Sequence, residues 1–351
     1  MHALVWVMLL VVQVGGALER VSPERESKPL APTGTIVASN MNAHSVSILD
    51  VATGRTLATV RTGEGPHEVA ISHDGRRAVV SIYGNRTAVG SSLLVFDLTA
   101  PTAAPRSIEL GAGNQRPHGM AFLPGDRQLL VTGERAQRLL VVDLASGAID
   151  SSMVTGQATT HMVALTRDGS RAFTTNISAM SVSAIDVASR KVGAAFPVGA
   201  RIEGIGVTPD GREVWVGGND SKKVYVLNGE TGAVTHTLDG FGMAYRLGIT
   251  PDGKTAVVSD PGDEKIHLVD VATHAVRATI AVPAMATADG VAETLSSPQG
   301  VTISRDGATA FVTLKSVARV AIVDIATARI TGTLPVGAGS DGVGYSPIVV
   351  R

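Results

Sequence analysis

No cysteine occurs among the 351 residues of the chain, so disulfides, thiolate nucleophiles, haem attachment through cysteine and iron–sulfur ligation are excluded. Aromatic residues are scarce at 3%, charged residues reach 17%, and the formal net charge is -1 with no run of Lys or Arg. That balance argues against the broad electrostatic footprint that nucleic acid or an acidic membrane surface requires. Also missing are a Gly-x-Ser-x-Gly elbow, a phosphate loop and a His-Glu-x-x-His helix. Glycine, by contrast, is abundant at 39 residues, and 44% of the chain is hydrophobic. Many tight turns joining short strands of Val, Ile, Ala and Thr, and hence an all-β fold with a large core, are expected.

One unit recurs along the sequence. Arg116-Pro-His-Gly-Met-Ala-Phe-Leu-Pro-Gly-Asp126 has close variants in Pro66–Gly75, Thr160–Gly169, Ile202–Gly211, Ala244–Gly253 and Pro298–Gly307, and a clipped copy in Asp341–Pro347. A second marker, a β-branched strand ending in Asp or Asn before a turn, appears at Asp50, Asp97, Asp143, Asp186, Asn228, Asp270 and Asp324. Those side chains are expected to accept backbone N–H groups of the turn rather than to act in catalysis. Each interval between markers reads as four short strands, the content of one propeller blade, which has no closed core alone and must stack on its neighbours. Insertions near Tyr83 to Ser92 and from Ala281 to Pro298 explain the longer spacings. Thr35 to Val60 supplies three strands without an innermost partner and Gly342 to Val350 supplies an innermost strand alone. Joined, they make a seventh blade and remove the exposed edges. The expectation is a seven-bladed β-propeller of four-stranded antiparallel blades, spanning residues 34–351 as one domain and closed by the C-terminal strand joining the N-terminal blade.

Ahead of it, Ala3 to Val14 is apolar but short for a bilayer span, and Gly15, Gly16 and Ala17 offer a cleavage site. Residues 1–17 therefore read as a signal peptide, with an uncleaved anchor as the alternative. Residues 18–33 read as a flexible leader. The resulting expectation is a periplasmic or secreted monomer with no stable transmembrane span after cleavage.

The Asp-x-x-Thr-Gly turns, the Pro-His-Gly-like strand entries, the Ser-Pro-Asp-Gly-like turns and the degenerate tetrapeptides Phe173-Thr-Thr-Asn176 and Phe311-Val-Thr-Leu314 resemble the YVTN-family β-propeller repeats. The resemblance covers nearly everything after the leader. It implies the propeller fold and a bacterial extracytoplasmic type of protein. Similar folds carry lactonases and lyases, so the resemblance does not choose a function.

The repeats make one position comparable across blades, the residue eight before the turn glycine, with Asp126 in place of that glycine in the second copy. It is His67, His118, His161, Glu203, Tyr245, Gln299 and, aligned by its strand, Asp341. All are polar, whereas the position two further on is Val69, Met120, Val163, Ile205, Leu247, Val301 and Val343. The polar set should ring one mouth of the central channel. His67, His118, His161 and Glu203 come from consecutive blades and are candidate ligands for Zn, Cu, Fe or Mn. Glu134, Tyr245 and Asp341 are candidate catalytic residues, Glu134 as a base, and Arg246, Gln299 and Lys315 are candidate ligand contacts. A lone histidine at a strand entry would read as a cap or a loop fastener.

Asn40, Tyr83, Asn176, Asn219 and Asp260 fall in the loops around that mouth and read mostly as solvated, while His73, His236, His267 and His274 read as surface residues. Two functions follow. One is binding of a small polar molecule at the channel mouth, with metal-assisted hydrolysis or elimination, or redox chemistry if the metal is copper or iron. The other is a non-catalytic scaffold meeting a protein partner through loop residues such as Met41, Tyr83, Met180 and the Ala281–Pro298 insertion.

Overall fold

The short β-branched runs fold into antiparallel strands, and the Asp-Gly turns set their spacing. A computed structural model describes residues 32–350 other than 288, 289, 291 and 292. The expected signal peptide and nearly all of the expected leader lie outside the described residues. Seven four-stranded antiparallel sheets stand around a central channel, and in six of them the strands follow chain order from the innermost outwards. In the seventh, the C-terminal strand Ser340–Ser346 pairs with Thr35–Asn40 and becomes the innermost strand of the N-terminal sheet, closing the ring. Blades are numbered here from the sheet that begins at Pro66, so the closing blade is blade 7. Among the described residues no helix is long and apolar enough to cross a membrane.

The core lies between sheets. Each of the seven interfaces between neighbouring blades holds its own cluster of buried aliphatic side chains, for example Leu130, Leu139 and Val141 of blade 2 against Ala172 and Ile185 of blade 3. Stacking of half-buried sheets removes the apolar area that a single blade leaves in water. All seven marker residues accept hydrogen bonds from their own turns, as Asp50 Oδ1 does from Thr53 N at 2.8 Å and Asp324 Oδ1 from Thr327 N at 2.7 Å. The first insertion lengthens the hairpin of Arg77–Gly84 and Val89–Asp97, and the second carries a small hairpin of Met285–Ala286 and Glu293–Thr294.

One irregularity positions the site. In blades 1, 2, 3, 4, 6 and 7 the ladder between the innermost and second strands shifts register at its upper end, as between Pro66 and Val69 or Thr160 and Val163. The ring residue and its successor fall in that gap. Such irregularities re-aim side chains out of the pleat. A carbonyl left out of the ladder is taken up by a hydroxyl on the second strand of the preceding blade. Thr175 donates to Glu203 O at 2.8 Å, Ser259 to Gln299 O at 2.6 Å and Thr313 to Asp341 O at 2.8 Å, and Ser39 and Thr132 do the same for His67 and His118's neighbour His161.

Candidate functional site

At the position after the ring residue, four blades carry Gly119, Gly204, Gly300 and Gly342. A Cβ on Gly300 would meet Asp341 O at 2.1 Å, and one on Gly342 would meet His67 O at 2.2 Å, so here the innermost strands of adjacent blades nearly touch. Blades 1 and 5 place Glu68 and Arg246 at this crowded level instead. Arg246 is only 4% exposed and bonds Glu68 Oε1 through Nη2 at 2.7 Å and Glu203 Oε1 through Nη1 at 2.8 Å. Residues 178 apart in sequence are thus joined in the centre of the ring.

Three imidazoles line one side. The ring centroids of His67 and His118 are 4.3 Å apart and those of His118 and His161 3.7 Å. His161 donates through Nδ1 to Glu134 Oε2 at 3.0 Å and through Nε2 to Glu203 Oε1 at 3.2 Å. Burial alone would lower its pKa, but the two carboxylates outweigh burial and raise it. His118 is 1% exposed, and burial, followed by repulsion from His161 and His67, drives its pKa well below the ordinary value. It is neutral at pH 7 and keeps a lone pair on one ring nitrogen.

The carboxylates are ionised. Burial favours the protonated form of Glu68, yet Arg246 and the nearby histidines hold its pKa at about 2. Glu203 is likewise buried and still depressed by Arg246 and His161, with a further hydrogen bond from Asn219. Glu134 is depressed despite its burial by His161 and by Tyr83, whose hydroxyl donates to it at 2.9 Å. Burial and Glu134 push the Tyr83 phenol up to about 12.

Across the opening, Lys315 Nζ donates to Asp341 Oδ2 at 2.6 Å, and Asp341 is 1% exposed. Tyr245 stacks under the Arg246 guanidinium at 4.7 Å, and burial with the nearby Asp341 raises its phenol pKa well above the ordinary value. Gln299 binds Ser297 Oγ through Nε2 at 3.1 Å. Asp341 Oδ1 and Gln299 Oε1 are buried and have no hydrogen-bond partner among the described residues.

The ring expected from the repeats therefore assembles, with a different inner grouping. Glu203 is engaged by His161, Arg246 and Asn219, away from His67 and His118. The donor sets that converge within 4.8 Å are His67, Glu68 and His118, and His118, Glu134 and His161. The first fits a cation better, because His67 Nδ1 and His118 Nδ1 are buried without a hydrogen bond, at 3.4 and 3.9 Å from Glu68 Oε1. In the second, both nitrogens of His161 are already committed.

Glu68 was missed because comparison of ring positions skips its neighbour. Its signal was a carboxylate where four other blades have glycine. Three further expectations are corrected. Asn40, Asn176 and Asp260 are fully buried loop fasteners, Asn176 Nδ2 reaching Ser181 Oγ at 3.1 Å and Asp260 accepting the N–H of Gly242 and Met243. His267 is buried against Asp260 at 3.1 Å and so is not a surface residue. Tyr83 turns inward onto His67 and His118, with centroids 5.1 and 5.4 Å away, and is half-buried where a solvated side chain was expected.

Comparison with solved structures bears on the fold. The chain is similar to a functionally unknown protein from Desulfotomaculum acetoxidans DSM 771, with TM-score 0.70 and 12% identity over 90% of this chain and 99% of that one. It is also similar to hydrazine synthase of Kuenenia stuttgartiensis, with TM-score 0.67 and 18% identity over 86% of this chain and 98% of that one. No protein-family model and no curated protein matches the sequence. At these identities the likeness shows the propeller fold alone.

Proposed function

We propose that the protein is an extracytoplasmic propeller of the YVTN type whose channel mouth binds a divalent transition metal together with a small polar molecule. The observation that carries this reading is the pair of unpartnered Nδ1 atoms of His67 and His118 beside the ionised Glu68. Two imidazoles and a carboxylate are a donor set used by Zn, Fe, Cu and Mn, and three protein ligands leave positions open. A metal held there would supply Lewis-acid activation of a carbonyl or of water, in support of hydrolysis or elimination.

The chain's own residues set the rest of the chemistry. Arg246 fixes Glu68 and already shares the oxygen that faces the two histidines, so it must yield part of that bond when a cation enters. Lys315, whose ammonium has donors beyond its bond to Asp341, suits a ligand with acceptor oxygens. The buried free acceptors of Asp341 and Gln299 suit its hydroxyl or amino groups. Titration with Co2+ tests the reading: a visible d–d absorption saturating at one equivalent, and missing in His118→Ala, is expected. No absorption in the intact protein would overturn the metal site.

A second reading, a scaffold that meets a protein partner, is favoured by the exposure of Met180 at 42% and of Leu295 at 63%, the latter next to the inserted hairpin. It expects partner binding to be lost on changing Met180 and Leu295 to Ser and kept in His118→Ala.

A further inference from the structure

The opposite end of the channel carries a separate feature. The innermost strands run from the His/Glu/Arg level to the Ser/Thr-x-Asp-Gly turns, and six residues of strand place those turns roughly 20 Å away. There a cavity of about 410 Å³ opens, floored by Leu165, Val207 and Ile249 and flanked by Pro209 and Pro251. Two arginines rim it. Arg167 of blade 3 reaches Pro251 O of blade 5 at 3.5 Å, and Arg305 of blade 6 reaches Ser72 O of blade 1 at 3.2 Å. Each guanidinium spans an intervening blade, and the two approach the mouth from different sides.

Neither arginine forms an ion pair among the described residues, and no carboxylate lines the cavity. The turn aspartates beside it are folded back on their own turns, Asp168 accepting from Thr166 Oγ1 and Asp252 from Thr250 Oγ1, both at 2.7 Å. A neighbouring groove on this face differs in that Asp210, Glu213 and Asp252 line it. An apolar floor under two cations held only by neutral carbonyls is complementary to an anion with an apolar body. Guanidinium forks match carboxylate oxygens, and the volume is that of a small-molecule site.

We propose that this lower mouth is a second binding site, for a small organic carboxylate with an apolar tail or ring, independent of the histidine cluster. Calorimetric titration of the full chain with 4-phenylbutyrate, octanoate and indole-3-acetate tests it, alongside acetate and 4-phenylbutan-1-ol. At least one apolar carboxylate should bind with one-to-one stoichiometry, at least about tenfold tighter than acetate or the alcohol. Arg167→Gln with Arg305→Gln should weaken it at least about tenfold while the thermal midpoint stays unchanged, since both side chains are exposed. Raising salt on the unmutated protein should weaken it as well. Absence of binding by all three carboxylates, equal binding of the alcohol, or an unchanged affinity in the double variant would overturn the proposal.

Discussion

Replacing Arg246 by Met keeps much of the buried volume and removes the guanidinium shared by Glu68 and Glu203. Glu68 then stands buried beside a neutral His118 without its guanidinium, and Glu203 keeps only His161 and Asn219. Breaking a buried pair by deleting one partner costs about 3–5 kcal/mol, and protonation of the stranded carboxylates limits the loss to that range. At about 2 °C per kcal/mol for a domain of this size, the thermal midpoint at pH 8 should fall by roughly 6–10 °C. The pH dependence fixes the cause. Glu68 is depressed from 4.5 to about 2, so in the intact protein its contribution is present above 4.5 and is lost as pH falls toward 2. Without Arg246 the largest influence opposing burial is gone, and both carboxylate pKa values rise above those of the intact protein. The variant therefore takes up protons at higher pH, and the stability gap between the two proteins should narrow from pH 8 to pH 5. Urea unfolding at both pH values measures it. A loss under about 1 kcal/mol at pH 8, or a gap of equal size at both, would refute the reasoning.

Four other outcomes are expected. Arg246→Met should bind Co2+ more tightly than the intact protein, read by the same visible absorption, because Glu68 is relieved of a competing cation. Thr175→Val should cost about 1–3 kcal/mol in urea unfolding, since it strips the Glu203 carbonyl of its donor inside the ring. Gly342→Ala should lower the thermal midpoint by several degrees, as its Cβ would lie 2.2 Å from His67 O, whereas Gly113→Ala meets nothing within 4 Å and should leave the midpoint in place. Between pH 6.5 and pH 5 the buried neutral His118 resists protonation while its unfolded counterpart accepts it, so His118 favours unfolding as pH falls and His118→Phe should flatten that part of the stability profile.

The architecture was legible because it repeats. Turn glycines, marker Asp or Asn residues and period-2 strands recur along the chain, and each copy reinforces the reading of the others. The ring was legible for the same reason: His67, His118 and His161 occupy one register position, and the ladder shift at that position turns them to the channel. What decides the chemistry does not repeat. Glu68 and Arg246 stand where four other blades carry glycine and meet across 178 residues, a pairing that only closure of the ring creates. Asn176 and Asp260 sit in loops by sequence, yet the inter-blade packing that buries them is set by neighbours far along the chain. Arg167 and Arg305 are ordinary turn residues until the blades bring them to one mouth.

The most direct test of the central claim is elemental analysis of the purified untagged protein, beside His67→Ala with His118→Ala. About one equivalent of a transition metal in the intact protein, lost in the double variant, is predicted. No metal in the intact protein, even after reconstitution with Zn, Cu, Fe and Mn salts, would contradict it.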